Sequence, residues 1–424
     1  MSAVQKCRED RMVVLQEAVI VDSIRTPIGK YGGVLSSVRP DDLAALVIRT
    51  LVERNKIDPN QIEDVIFGDG NQAGEDNRNI ARMSLLVAGL PFKVAGCTVN
   101  RLCGSGLEAV NVAAHEIMVG DGGIYIAGGV ESMSRAPFVM PKGSRPFDRS
   151  ATIYDTTIGW RFVNPRLAEQ FYPFSMGETA ENLAERYSIS REDQDKFALR
   201  SHELAAKARE DGTFRDEIVP VPINPAKDGT AQTVVERDEG PRSDTSLELL
   251  SKLKPAFRDG GSVTAGNSSS INDGAAALLL MNGKKAKRLG LAPKARIVAT
   301  AVSGVHPSFM GLGPVPATRK ALKRARLKLE DIDLIELNEA FAAQVLSCLK
   351  FMDFDGGEFN GNANLTRKLN VHGGAIALGH PIGCSGARIL TTLLHEMERN
   401  KADLGLATAC VGVGQGIATI VERV

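Results

Sequence analysis

A cysteine placed where a strand gives way to a helix is positioned to act as a nucleophile. This 424-residue chain holds one at Cys103, in Asn100-Arg-Leu-Cys-Gly-Ser-Gly106. A short strand is expected to stop at Cys103 and a helix to begin directly after it, with Leu107, Val110, Ala114 and Ile117 on one face. Unpaired N–H groups and the positive end of the helix dipole at that position favour thiolate over thiol. The glycines flanking Ser105 allow a substrate to approach the backbone closely. A free cysteine is equally at home as a small buried core residue, so this segment alone leaves both readings open.

Three further segments carry chemistry of a matching kind. The run from Asn370 to Gly386 is dense in glycine and holds His380 between Gly379 and Pro381, where the backbone is restricted and the ring can be aimed. Histidine is the usual partner that takes a proton from a cysteine, whereas His372 in the same run reads as structural. Cys410-Val-Gly-Val-Gly-Gln-Gly416 exposes backbone N–H groups that suit a developing oxyanion, Gly412 among them. Its thiol could serve as acid or base toward a weakly acidic carbon, although a glycine-rich turn with an incidental cysteine has the same sequence. In Glu336-Leu-Asn-Glu-Ala-Phe-Ala-Ala-Gln344, Asn338 can orient a water or bond a histidine, or simply cap a helix.

The elements that must hold these segments alternate. Apolar β-branched runs at Ala18–Val21, Asp64–Phe67, Gly123–Ala127, Ala295–Thr300, Ile332–Leu337 and Gly405–Ala409 alternate with helical patterns at Asp41–Arg54, Leu107–Met118, Pro316–Arg326 and Gly386–Glu398. Such alternation implies an α/β protein with parallel sheets covered on both faces. The order occurs twice: Ser105-Gly106 superposes on Ser385-Gly386 with a shift of 280 positions, and the same shift sets Ile126–Val130 on Leu406–Cys410, which suggests an internal duplication. Between the halves, residues 134 to 254 change character, with prolines and aromatics in Pro137–Pro173 and then one long polar helix pattern from Glu178 to Glu210. This stretch reads as a loop domain inserted over one face of the core. The division expected is 1–14 as a flexible extension, 15–133 with 255–290 as one half, 134–254 as the loop domain, and 291–424 as the other half.

Composition excludes several classes. Lysine plus arginine and aspartate plus glutamate both number 51, and only five tyrosines and one tryptophan are present, which argues against nucleic-acid binding. The six cysteines form no CxxC pair, so neither a metal site nor a disulfide framework is expected. No apolar run reaches membrane-spanning length and the first eleven residues lack a secretory core, which makes the cytoplasm the expected location.

Taken together, Asn-Arg-Leu-Cys-Gly-Ser-Gly, Asn-Glu-Ala-Phe, Gly-His-Pro and Cys-x-Gly-x-Gly-x-Gly resemble the thiolase family, in its order and spacing, from Ala18 to Val424. Gly-His-Pro with a second cysteine at Cys410 separates it from the ketosynthases and hydroxymethylglutaryl-CoA synthases of the same fold. The resemblance implies a duplicated, five-layered α-β-α-β-α fold and an acyl-cysteine enzyme that cleaves or forms 3-oxoacyl-CoA. It implies that Cys103 is acylated, that His380 activates it and that Cys410 moves the α-proton of acetyl-CoA. Asn338, through a water and with His380, would form one oxyanion hole, and the N–H groups of Cys103 and Gly412 the other. Arg242 would hold CoA, Ala265, Ser269 and Ala340 would flank the pantetheine, and Met176 and Phe341 would line the acyl end. Ser270 departs from the glycine usual at its position, which bears on how closely pantetheine approaches. Coenzyme A and acetyl-CoA are implied as substrates, with no permanently bound cofactor, and a homodimer or homotetramer as the assembly.

Asn71–Asn79, Gly129–Pro137 and Thr156–Phe162 are most similar to 3-oxoadipyl-CoA thiolases, which must accept a terminal carboxylate. Arg135 or Arg161 is the expected cation for it. Acetyl-CoA acetyltransferase and a general 3-oxoacyl-CoA thiolase are the neighbouring readings. A catalytically silent acyl-CoA binder is the reading from another class.

Overall fold

The computed structural model describes residues 15–223, 233–352 and 367–424; the extension expected at 1–14 lies outside the described residues. Fourteen strands and twelve helices carry the argument. In the first half come β1 (Ala18–Arg25), β2 (Gly29–Lys30), α1 (Pro40–Arg54), β3 (Asp64–Gly68), α2 (Ile80–Val87), β4 (Ala95–Val99), α3 (Ser105–Val119) and β5 (Ile124–Ser132). The intervening stretch holds β6 (Phe138–Val139), β7 (Tyr154–Asp155), α4 (Pro165–Gln170), α5 (Met176–Arg186), α6 (Arg191–Glu210), β8 (Val221–Ile223), β9 (Thr233–Val235) and α7 (Leu247–Ser251). Then follow β10 (Asn272–Asn282), α8 (Gly283–Arg288), β11 (Ala295–Gly304), α9 (Pro314–Ala325), β12 (Leu334–Leu337), α10 (Ala342–Phe351), α11 (Ala375–Leu378), α12 (Ile382–Asn400), β13 (Leu404–Val411) and β14 (Gln415–Arg423).

Nine strands form one continuous path in the order β12-β13-β14-β11-β1-β10-β5-β3-β4, with β2 paired to β10 beside it. The path contains the same arrangement twice. The first half runs β4-β3-β5-β10-β1 and the second runs β12-β13-β14-β11, with Leu369 bridged in parallel to Ile335 of β12 where β4 stands beside β3. The halves meet through antiparallel pairing of β1 with β11 at Val19–Arg296 and Ile20–Ala295.

The sheet is mixed, which corrects the expectation of parallel pairing throughout. β3 runs parallel to β4 and β5, and β12 to β13, but β10 and β14, the last strand of each half, return antiparallel to their neighbours. Both faces are nonetheless covered, and the period of two shows it. Along β10, Ala275, Ala277, Leu279 and Met281 join an outer core with α1 and α2, while Ala276, Leu278 and Leu280 join a central core with α3 and α12. A third core places α9 and α10 on the far side of the second half, together with α5 and α6. Helices, sheet, helices, sheet and helices thus make five layers, as the fold expectation held.

Two local expectations change. The helix pattern from Glu178 to Glu210 is two helices, because Ser188 adopts a left-handed backbone (φ 51°) and Ser190 caps α6 by accepting the Asp193 N–H at 3.0 Å. The strand ahead of Cys103 ends at Val99, and a short 3₁₀ turn at Leu102–Gly104 leads into α3. The intervening stretch is tied to β1 by Arg25, fully buried, which donates to Glu217 at 2.6 Å and to both oxygens of Asp238 at 2.7 and 2.9 Å. Among the described residues no helix is long and apolar enough to cross a membrane.

Candidate active site

Cys103 sits at the mouth of the central helix layer. Its sulfur has the backbone N–H of Gly412 and its own N–H against it, so the two segments most separated in sequence meet at one atom. Both loops are held in costly backbone conformations: Leu102 has φ 45° and Val413 has φ 63°, and neither is glycine. Local bonds impose this. Asn100 Oδ1 accepts from Leu102 N at 2.9 Å, Ser105 Oγ donates to Leu102 O at 2.7 Å, and Arg101 Nη1 reaches Gln415 Oε1 at 3.0 Å across the two loops.

The position of Cys103 before α3 promises an acidic thiol, and the structure corrects that. Burial pushes the thiol up to about 11, outweighing the two N–H groups that favour the thiolate. Cys410 is buried, and burial and the nearby Cys103 and Cys348 raise its thiol well above the usual range. Both thiols therefore stay protonated near neutral pH.

His380 is set up as their counterpart. Its Nδ1 lies 2.5 Å from Ser385 Oγ, and that hydroxyl spends its own proton on Pro381 O at 2.8 Å. The hydroxyl can then only accept, so Nδ1 carries the ring proton and Nε2 presents a lone pair. Asn338 Nδ2 approaches that nitrogen at 3.4 Å. Burial, with a contribution from Arg388, depresses the ring to about 4, so it is neutral and able to accept a proton. Its backbone is fixed as well: Asn272 Oδ1 accepts the His380 N–H at 2.9 Å, and a Cβ on Gly379 (φ 109°) would stand 2.3 Å from the Asn272 amide. Asn338 Oδ1 is buried with no protein partner, which fits an acceptor for a bound water.

The residues expected around pantetheine divide into two groups. Ser269 N donates to Ala340 O at 2.9 Å, Phe341 stacks edge-on against Phe257 with ring centres 5.9 Å apart, and Phe257 abuts Gly177 beside Met176. Met176 Sδ in turn lies 3.5 Å from where a Cβ on Gly412 would stand, so this group reaches the Cys103 site. Ala265 is exposed on the same loop, and Ser270 Oγ donates to Asn272 Oδ1 at 2.9 Å, the atom that holds His380. Arg242 stands apart: its side chain is exposed, and its N–H donates to His202 Nδ1 at 3.3 Å on α6. His372 is bonded to Glu396 at 2.6 Å, a structural role as expected.

Residues 18–284 match the family described as thiolase, N-terminal domain, and residues 291–423 the thiolase, C-terminal domain. The chain belongs to the thiolase family. As a thiolase it is an acyltransferase. It is 56% identical over 411 residues to the 3-oxoadipyl-CoA/3-oxo-5,6-dehydrosuberyl-CoA thiolase of Escherichia coli K12, covering 97% of this chain and 100% of that one. It is 53% identical over 410 residues to the beta-ketoadipyl-CoA thiolase of Pseudomonas aeruginosa (96% and 100%), and 48% over 407 residues to the acetyl-CoA acetyltransferase of Syntrophomonas wolfei (96% and 99%). The acetyl-CoA acetyltransferase of Bacillus anthracis superposes with a TM-score of 0.88 at 44% identity, over 97% of this chain and 100% of that one.

Sequence reasoning missed two residues of this thiolase site. Ser385, which fixes the ring tautomer, was read only as part of the repeat; its signal is a hydroxyl five positions after His380 in the first turn of α12. Asn272, which holds the His380 backbone, carries no local signal beyond Ser270-Ile-Asn.

Proposed function

We propose that this thiolase catalyses reversible CoA-dependent thiolysis of 3-oxoacyl-CoA, with 3-oxoadipyl-CoA as favoured substrate, through an acyl group on Cys103. The observations that support the chemistry are the Gly412 N–H against the sulfur of a protonated Cys103 and a neutral His380 whose Nε2 is unprotonated, on segments whose helices pack backbone to backbone at Gly106 and Gly386. His380 Nε2 takes the Cys103 proton as the sulfur adds to the 3-oxo carbon. The oxyanion formed is received by the N–H groups of Cys103 and Gly412. The carbon–carbon bond then breaks, its electron pair leaves as the enolate of acetyl-CoA, and Cys410 gives that carbon its thiol proton. Asn338, through a water and with His380, stabilises the enolate oxygen.

In the second half-reaction the CoA thiol gives its proton to the Cys410 thiolate and attacks the acyl-Cys103. The Cys103 sulfur leaves and recovers its proton from His380. Arg242, Ala265, Ser269 and Ala340 hold the CoA substrate, with Met176 and Phe341 at the acyl end. Coenzyme A and acetyl-CoA come and go as substrates beside no resident cofactor, in a cytoplasmic homodimer or homotetramer.

The substrate preference is supported by the relatives named for 3-oxoadipyl-CoA at 51–56% identity, against 48% for the acetyl-CoA acetyltransferase, which carries the second reading. Thiolysis rates with 3-oxoadipyl-CoA, acetoacetyl-CoA and a longer 3-oxoacyl-CoA decide between them. Preference for the dicarboxylic substrate, abolished in Cys103→Ser, is the expected result. Preference for acetoacetyl-CoA establishes the second reading, and turnover that survives Cys103→Ser sinks the mechanism.

A further inference from the structure

The three segments that mark the subclass in sequence converge in space. Asn71 Nδ2 donates to Thr156 O at 2.8 Å, Arg161 Nη2 donates to Asn71 Oδ1 at 2.5 Å, and Arg135 donates to both oxygens of Glu75. The two arginines offered as carboxylate binders differ in what they meet there. Arg135 is already neutralised by Glu75, which also pairs with Arg39, on an open surface hollow that all three line. Arg161 is half-buried, its bond to Asn71 is to a neutral amide, and it forms no ion pair among the described residues. Arg101, the cation nearest Cys103 in sequence, is paired with Glu108 at 2.7 Å.

Arg161 is also tied to the Cys103 site from both sides. Its neighbour Trp160 donates from Nε1 to Phe174 O at 2.9 Å, two residues before Met176, whose sulfur packs toward Gly412. On the other side Asn71 adjoins Gly70, whose carbonyl accepts from Asn100 Nδ2 at 3.1 Å, and Asn100 fixes the Leu102 N–H next to Cys103. A guanidinium has five N–H donors in a planar fork, and a half-buried one without a counter-ion is matched by a carboxylate. In 3-oxoadipyl-CoA the distal carboxylate lies only three carbons beyond the carbon that Cys103 attacks.

We infer that Arg161 is the specificity-determining residue that receives the distal carboxylate of a dicarboxylic 3-oxoacyl-CoA, and that Arg135 is not. The inference rests on the substrate reading proposed above. It is a binding role, exerted through the whole reaction, and it acts on KM more than on kcat.

The test compares kcat/KM for 3-oxoadipyl-CoA and 3-oxohexanoyl-CoA, which has a methyl group where the other has the carboxylate. The wild-type ratio is expected to be high. In Arg161→Gln it should fall by about 10- to 100-fold, the size of a charge-assisted hydrogen bond. In Arg161→Lys it should lie between, because charge is kept and the fork lost. Arg135→Gln should keep the ratio within about twofold, as expected of a surface pair. A high wild-type ratio that survives both Arg161 variants overturns the inference and leaves the substrate reading standing. Equal loss on both substrates assigns Arg161 a merely structural role and likewise overturns it. A wild-type ratio near one overturns both the inference and the substrate reading. Should Arg161→Gln fail to fold, the ratio in Arg161→Lys decides alone.

Discussion

Gly106 and Gly386 hold α3 and α12 backbone to backbone: a Cβ on Gly106 would stand 2.7 Å from Ala387 N, and one on Gly386 would stand 2.4 Å from Leu107 N. The contact is close to reciprocal, as expected of residues related by the internal repeat. It bears on the site as well, because α3 starts just after Cys103 and α12 just after His380. Neither neighbour can yield, since both are main-chain atoms.

Gly386→Ala should therefore part the two helices and cost stability of about 1–3 kcal/mol, the range for overpacking a tight core. Urea denaturation measures the first effect. Turnover should fall by about 100-fold as well, since a displacement of roughly 1 Å at a reacting pair costs that much. A variant with wild-type turnover would show that this contact does not set the Cys103–His380 geometry.

Ser385→Ala removes the acceptor that keeps the ring proton on Nδ1 of His380. The imidazole can then place its proton on Nε2, the nitrogen needed as base, and kcat should drop by about 10- to 100-fold with KM little changed. Ser385→Thr keeps a hydroxyl and should retain more activity than the alanine variant. Equal losses in the two would argue that Ser385 acts through packing alone.

The protonation of Cys103 can be read from its alkylation. With burial holding the thiol up to about 11, the thiolate fraction is small at pH 7 and grows about tenfold with each unit of pH below that value. The rate of inactivation by iodoacetamide should keep climbing from pH 7 to 10. A plateau already present between pH 6 and 8 would mean that a preformed thiolate–imidazolium pair, not a neutral one, occupies the site. Mass spectrometry locates the label on Cys103 rather than on Cys97, which is exposed.

What the sequence revealed of this site depended on the range of the forces involved. Cys103, His380 and Cys410 stand out because each lies in a run of glycines, a local cost that only a backbone brought close to something else explains. The duplication was visible for the same reason, since Ser-Gly recurs where helices must touch. The protonation of Cys103 is not legible in its own segment, because helix-end arguments count local dipoles, whereas burial is a property of the whole folded site, which brings Gly412 against the sulfur from far along the chain. The antiparallel return of β10 and β14 was likewise hidden: strand composition reports burial on both faces, not direction. The difference between Arg135 and Arg161 depends on Glu75 and Asn71, whose contacts no pattern within a single segment encodes.

Cys410 offers a test that separates the two half-reactions. Transfer of an acetyl group from acetyl-CoA to Cys103 sends the Cys103 proton to His380 and releases the CoA sulfur as a thiolate. That weak base is protonated by Cys410 in the full cycle, and solvent can protonate it when Cys410 is absent. No carbon–hydrogen bond changes in that step. Thiolysis of a 3-oxoacyl-CoA, by contrast, releases an enolate that must be protonated on carbon, the step proposed for Cys410. Cys410→Ala should thus still acquire an acetyl mass on Cys103 when incubated with acetyl-CoA, while its thiolysis falls by about 10²- to 10⁴-fold, the usual worth of a positioned general acid. Removal of a buried, raised-pKa thiol leaves no charge unpaired, so the fold should survive and the labelling experiment remain interpretable. If the variant loses acetylation and thiolysis in equal measure, proton exchange with the CoA sulfur, and not the carbon acid, is the step that depends on Cys410.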